Sequence, residues 1–465
     1  ISSSRLVNNN YKAIQDYIEI GGRVEPSSKY YLLNYQFAES VNNFSGSFSG
    51  TIYEDVDTNS NECIFSRVKN LDVVFIYENS EKNEINLEKN NPVFIGVVHS
   101  KNIRSMMNNG KISRTTTLSG NSICSLIGDL SVSLDVHSLT GVQAAKVQKD
   151  FTEEIKDKKT YEDVVVSLWK NFLKISEQVA SGTGTNTSSI FIDRLLGSFY
   201  VYKGSQNFLR FEKLSLLEYP VVANFWTQSV NTFADMVRTL LPSNIFEIFG
   251  RVDETGTPYL LFREMPFSSK DWKELPITEI DPLYLLGYDI NQSDSEVYNA
   301  FLAYIEGSSQ DQALSLTLAA IENRIAKDTE KMSKYGYRPL QVNFRGYNTS
   351  QDISADKDPK KAIQECSDKL KEWYGALDEL YSGTINLVRG KNDKLPKIGE
   401  RIKFINYEFY VTDKTHSWSY GGPVNVTLNI SRGAFYNKLG IRDTNSLESR
   451  EKFGCRYAEL KKYIY

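Results

Sequence analysis

The stretch YEFYVTDKTHSWSYGGPVNVTLNISRG, from Tyr407 to Gly433, decides how the rest of the chain is read. In its second half Val424, Val426, Leu428 and Ile430 alternate strictly with Asn425, Thr427, Asn429 and Ser431. Successive side chains of a strand point to opposite faces, so this is a strand buried on one side. The Gly421-Gly422-Pro423 corner reverses the chain, which makes Tyr407 to Ser419 the other arm of a hairpin. His416 and Trp418 lie on that arm. An imidazole beside an aromatic platform suits acid–base or sugar chemistry, but general-base work needs a carboxylate partner. Asp413 is the only local one, and three residues apart on a strand the two side chains point to opposite faces. The spacing therefore assigns His416 a structural role.

Working outward, TINLVRG and GERIKF upstream are further strands. KDPKKAIQECSDKLKEWYGALDELYSG reads as a helix, with Pro359 near its first turn and Gly383 beyond its end. Near the N-terminus FSGSFSGTIYE, LDVVFIYE, PVFIGVVHS and KISRTTTLSG are short strands separated by Gly, Asn and Ser. Leu71, Val73, Phe75 and Tyr77 alternate with Asp72, Val74, Ile76 and Glu78, as in a strand buried on one face, and ENSEKNEINLEKNN reads as an exposed connection. The middle is mixed. TYEDVVVSLWKNFLKISEQVASG has a helical apolar stripe with Thr160 as N-cap, and SGTGTNTSS has linker composition. NTFADMVRTLL is a helix ending at Pro242, and FEIFGRVDETGTPYLLFREMPF is a hairpin turning at Asp253 to Gly256. SEVYNAFLAYIEGS is read as a third helix capped by Ser295, followed by a helical region over DQALSLTLAAIENRIAKDTEKMSKYG.

The expected fold class is α+β: two small antiparallel β-barrel domains flanking, and packing with, an α+β middle domain. The expected boundaries are 1–145 for the first barrel, 146–340 for the middle domain with its helical insert, 341–440 for the second barrel with its preceding helix, and 441–465 for a C-terminal tail. At 465 residues the chain is too long for one core, and 28 Tyr with 24 Phe favour β-rich parts. A formal net charge of -4 argues against gripping nucleic acid or anionic membrane through bulk positive charge. Cys63, Cys124, Cys366 and Cys455 are far apart, with no CxxC pair, which reads as free thiols. No run approaches a membrane span and ISSSRLVNNNYK lacks a secretory pattern, so a soluble protein without a targeting signal is expected.

Motifs that carry chemistry are missing. There is no GxSxG or HExxH, and GTGTNTS lacks the Lys-Ser or Lys-Thr ending of a phosphate loop. His99, His137 and His416 are isolated, so no metal site is expected. Glu153 with Glu154, or Asp253 with Glu254, are the carboxylate pairs a glycosidase reading would need, at a separation that sequence does not fix. Tyr407, Phe409, Tyr410, Trp418 and Tyr420 lack interleaved Arg and Lys, which favours core and subunit contact over base stacking.

The order of segments resembles the central hub protein of contractile phage-tail baseplates and related injection particles, the tailocin and VgrG-like hubs. The resemblance runs from about Tyr30 to Lys438. It rests on LKEWYGALDELYSG, TINLVRG and LPKIGERIKF with Pro396, Gly399 and Ile402, and on the hairpin with His416 and Trp418 and its close at Thr427, Leu428, Arg432 and Gly433. FREMPF and KDWKELP, with Arg263, Pro266, Phe267 and Trp272, then DINQSDSEVYNAF, add to it, as does FIGVVHS…GKISRTTTLSGNSICSLI. The resemblance implies a non-enzymatic homotrimer in which each chain supplies two similar barrels, so that three chains join a six-fold tail tube to a three-fold central spike beside other baseplate proteins. It implies no cofactor, no metal, no specific nucleic-acid binding and no membrane contact, a place in the tail baseplate after assembly in the bacterial cytoplasm, and a structural hairpin signature at His416, Trp418, Arg432 and Gly433. A peptidoglycan hydrolase and a carbohydrate-binding β protein are the alternatives.

Overall fold

The computed structural model describes residues 2–6, 13–17, 30–55, 63–78, 92–108, 111–125, 162–169, 209–212, 233–306, 325–345, 359–389, 395–436 and 442–443, apart from one or two positions at a time inside some spans. The strands of the first half are β1 Ser2–Leu6, β2 Ala13–Tyr17, β3 Tyr30–Ser40, β4 Ser47–Asp55, β5 Val73–Ile76, β6 Phe94–Asn108 and β7 Lys111–Ser122. Those of the middle are β8 Leu209–Glu212, β9 Phe246–Val252, β10 Pro258–Glu264, β11 Ile277–Glu279, β12 Leu285–Gln292, β13 Ala300–Glu306, β14 Ala326–Lys327 and β15 Pro339–Arg345. The last are β16 Tyr381–Val388, β17 Arg401–Phe404, β18 Tyr407–Ser419, β19 Val424–Tyr436 and β20 Arg442–Asp443. Helices include α1 Ile64–Arg67, α2 Phe233–Leu240, α3 Ser269–Glu274, α4 Thr329–Tyr335 and α5 Pro359–Tyr374.

Fourteen of these strands form one sheet, whose main path runs β12-β16-β19-β18-β3-β4-β7-β6-β5-β1-β2. Two five-strand units are legible in it. In unit one the spatial order is β3-β4-β7-β6-β5; in unit two it is β12-β16-β19-β18-β17, and every neighbouring pair is antiparallel. Taken in chain order, the two lists are the same topology. Two irregularities of each unit coincide as well. The register of β3 on β4 shifts between Leu32 and Asn34, and that of β12 on β16 between Leu285 and Gly287. Likewise β6 on β7 shifts between Val98 and Ser100, and β18 on β19 between Val411 and Asp413. Bulges bend a strand and increase its twist, so coincident bulges give the two units the same curvature.

The two barrels expected from the sequence are not closed among the described residues. Closure of unit one would set β3 beside β5; instead β3 pairs with β18, Asn34–Ser40 running against Ser419–Asp413. Unit two draws its first strand, β12, from the middle of the chain. The alternation expected around LDVVFIYE also differs: Val73 and Val74 are both buried, one facing each of two apolar clusters, and Leu71 sits at φ 70 in the preceding turn.

Between the units lies an α+β segment. The β9–β10 hairpin and α2 form where the sequence puts them, and buried Cys366, Leu370 and Trp373 give α5 one apolar face. The helix expected over SEVYNAFLAYIEGS is instead β13, parallel to β15. Its start is fixed non-locally by fully buried Asn299, whose amide donates to the Gly336 carbonyl at 2.6 Å and accepts from the Arg338 N–H at 2.8 Å. Such pairing overrides local propensity. The long loop after Glu78, the linker 181–189 and most of 306–324 lie outside the described residues; of the helix expected from Thr160, residues 162–167 are helical.

Buried polar groups tie this segment to unit two. Arg263 donates to Glu247 at 2.9 Å, to the Gly399 carbonyl at 2.7 Å and to the Tyr410 hydroxyl at 2.7 Å. Gly399 has φ +70, and a Cβ there would stand 2.5 Å from that guanidinium. Glu408, fully buried, accepts from Trp272 Nε1 and from Arg401 Nη1, both at 2.7 Å. Removing one partner of such a pair leaves an uncompensated buried charge. Glu408→Ala is therefore expected to lower unfolding free energy by about 3–5 kcal/mol in urea titrations. A loss under about 1 kcal/mol, the range of exposed pairs, is the contrary result.

Candidate functional site

The place where the units meet holds the residues that the sequence singles out. Ser417 pairs with Gln36, His416 with Phe37 and Trp418 with Tyr35. His416 stacks on the Phe37 ring at 4.5 Å, and Trp418 stacks on Tyr35 at 5.9 Å, which occupies one face of the indole. His416 does have a carboxylate partner, although not Asp413: its Nδ1 lies 2.9 Å from Glu78 Oε1. The same carboxylate accepts from the Tyr35 hydroxyl at 2.8 Å and from Arg389. Glu78 and Tyr35 belong to unit one, His416 and Arg389 to unit two. The cluster is thus a polar rivet through the joint, and the side chains of Glu78 and His416 are 1% and 2% exposed.

Burial opposes ionisation of Glu78, but the His416 hydrogen bond, the Arg389 charge and the Tyr35 hydroxyl outweigh it and hold the carboxyl at about 2. Burial pulls His416 below its ordinary 6.5 against the opposing pull of Glu78. A neutral imidazole donating Nδ1–H to the carboxylate satisfies both directions, with Nε2 buried and unpartnered among the described residues.

Arg432 and Gly433 lie at a second bulge. Glu408 pairs with Ala434 and Tyr410 with Ser431, so these two residues oppose Phe409 alone. Arg432 takes φ 57, donates to the Trp373 carbonyl and lies 3.6 Å from that ring's centroid. A Cβ on Gly433 would stand 2.2 Å from the Phe409 ring. The bulge joins unit two to the end of α5. Of the carboxylate pairs, Asp253 is bound to Arg210 at 2.6 Å, whereas Glu153, Glu154 and Glu254 lie outside the described residues.

The face of the sheet opposite the core carries a signal the sequence reading missed. A row of directly paired residues crosses both units: Asn425, Ser417, Gln36, Ser49, Ser119 and Ser100. All are polar and none is charged. Neighbours on this face bond laterally, Thr427 to Asn386 at 2.8 Å, Thr51 to Thr117 at 3.3 Å and Ser100 to Ser119 at 2.7 Å. A depression of about 560 Å³ over unit one is lined by the same serines. Spread over strands distant in sequence, such a row shows only once the register is known.

No family model matches the chain, and no curated protein matches it. Its structural neighbours are phage tail and secretion-system proteins. They include the 43 kDa tail protein of prophage MuSo2 from Shewanella oneidensis, at 10% identity and TM-score 0.45, covering 86% of this chain and 94% of that one. A tail protein from Neisseria meningitidis MC58 aligns at 12% identity and TM-score 0.45, covering 92% and 95%. An E. coli type VI secretion component aligns at 9% identity and TM-score 0.32, covering 90% and 78%.

Both shifts at the rivet are downward, so the unfolded chain binds more protons and stability rises with pH. The contribution is complete above about 6.5. The His416 part is lost on acidification below that value, and the Glu78 part, about 3 kcal/mol, between 4.5 and about 2. Thermal unfolding followed from pH 7 to pH 2 should show Tm falling, and the double variant Glu78→Gln, His416→Gln, which lacks both titrating groups, should start lower but fall less steeply. Parallel curves for the two proteins would contradict this account.

Proposed function

We propose that this chain is the structural hub of a contractile tail baseplate, a homotrimer that joins a six-fold tail tube to a three-fold central spike. The observation that carries the reading is the duplicated unit. A closed three-fold ring offers six equivalent docking positions only if each chain supplies two similar ones. Two units of one topology, bulged at corresponding positions and set edge to edge, meet that requirement, and the order of sequence motifs agrees with it.

On this reading residues 1–145 carry the first hub unit, 146–340 the middle domain, 341–440 most of the second unit and 441–465 a tail. The partners are the tube, the spike and neighbouring baseplate proteins, and assembly takes place in the bacterial cytoplasm. His416, Trp418, Arg432 and Gly433 act by holding the joint and the bulge, with no catalytic role. The row of hydroxyl and amide groups becomes part of the wall of the passage through the ring, with Asp413, Arg104 and Asp289 on the same face. Docking surfaces favour aromatic, Met and Arg side chains, and polyanion-binding surfaces favour Lys and Arg. A wall of short groups bonded to one another holds neither a protein nor DNA in transit.

Light scattering of the purified chain, alone and with its tube and spike partners, is expected to reach about three times the 53.0 kDa chain mass. A chain that stays monomeric inside assembled particles overturns the proposal. Lysines at Ser417 and Gln36 are expected to leave the trimer intact while slowing delivery of cargo, whereas loss of the trimer would mean that this face is an interface.

A further inference from the structure

The joint inside the chain is a template for a joint between chains. In unit two the first half of β18, Tyr407–Tyr410, pairs with β17, and its second half, Asp413–Ser419, is taken by β3 of unit one. In unit one the first half of β6, Phe94–Val97, pairs with β5 in the same way. Its second half, from Ser100 onward, has β7 on one side and no strand on the other among the described residues. The counterpart of β3 is β12, at the far end of the same sheet, which among the described residues pairs with β16 alone. One unit thus has an open acceptor edge and the other an open donor strand.

We propose that β12 of one chain pairs antiparallel with the second half of β6 in the next copy of the chain, repeating the β3–β18 joint. This deepens the ring reading above and rests on it. The shared bulges set the register. His99 and Thr412 are the bulged residues of β6 and β18, and Leu286 and Leu33 those of β12 and β3. Carrying the internal pairs across, Asn102 falls opposite Asn291, Ile103 opposite Ile290 and Arg104 opposite Asp289.

Arg104 and Asp289 are both exposed, and the transfer sets these opposite charges face to face. Ile103 and Ile290 take the places of His416 and Phe37, an apolar pair where the internal joint has a stacked one. Just outside the internal pairing the Tyr420 N–H donates to the Leu33 carbonyl at 2.8 Å. The equivalent contact sets Met107, 76% exposed, beside Leu286, 60% exposed, so that two of the largest exposed apolar side chains cover each other. A head-to-tail contact of this kind forms a closed ring when its rotation closes.

The test uses full-length protein carrying one new cysteine. Ile103→Cys and Ile290→Cys proteins are mixed and oxidised, with each single variant and the unaltered chain, which has its own thiols, as controls. The expected result is a disulfide-linked dimer at least tenfold more abundant in the mixture than in any control, and covalent trimers when both substitutions share one chain. Arg104→Asp alone and Asp289→Arg alone should each weaken association at least tenfold, and the double variant should recover it. Trimers that form without the cross-link and without the charge-swap rescue would overturn this joint while leaving the ring standing. A chain that is monomeric with its tube and spike partners present would remove the ring itself, and this inference with it.

Discussion

Everything in this architecture depends on β3 pairing with β18 instead of closing onto its own unit. A five-stranded unit has two unpaired edges, and an unpaired edge is a template for whatever strand arrives first. Seven consecutive residue pairs, Asn34–Ser40 against Ser419–Asp413, satisfy one edge of each unit with the other. The core follows from that choice. Phe37 and Phe94 stack at 4.9 Å beneath the joint, and His416 completes the stack from the other unit. Backbone bonds give the join its strength, and the Glu78 cluster gives it one register. Sliding β18 by one residue would turn His416 to the solvent face and leave the buried Glu78 carboxylate with Arg389 and Tyr35 only.

The middle segment is positioned by the same economy of buried polar groups. Arg263, Glu247 and Tyr410 form one satisfied network, and Arg401, Glu408 and Trp272 another, both reaching from the α+β segment into unit two. Pairs of this kind contribute little net stability but are costly to break, so they fix orientation more than they add free energy. The segment inserted between β12 and β16 has its own tie to the unit that it interrupts, the Arg432 guanidinium donating to the Trp373 carbonyl at the end of α5.

Local pattern was legible in the sequence and long-range pairing was not. The alternation of Val424 to Ser431 and the hairpins at Asp253 and at Gly421 were read correctly, because period and turn chemistry are encoded within a dozen residues. Asp413 is the only carboxylate near His416 in sequence, whereas its partner Glu78 lies 338 positions away, where no local rule reaches. The duplication was anticipated as similar modules at the two ends, yet the strand completing the second unit sits before the inserted β13, β15 and α5. β13 was misread as a helix because a short apolar run suits either state until its partners are known. The uncharged row was hidden for the same reason: its six residues come from six strands.

The two joints, one inside the chain and one proposed between chains, must also be told apart by the molecule. If β12 and β3 were interchangeable, a chain could fold with the wrong strand on β18, and mixed products would compete with the ring. The sequence separates them chemically. At the internal joint the β18 position carries an imidazole that needs Glu78, with Arg389 and Tyr35 satisfying the remaining carboxylate valence. Ile290 in place of Phe37 would remove the ring that stacks on His416, and Asp289 in place of Gln36 would set an unpaired carboxylate opposite Ser417 on the other face. At the proposed external joint, Gln36 in place of Asp289 would leave Arg104 without its counter-charge. Discrimination of this kind comes from what the wrong pairing leaves unsatisfied as much as from what the right pairing gains. A ring built from two quasi-equivalent joints needs that asymmetry, because equal curvature alone would allow either strand on either edge.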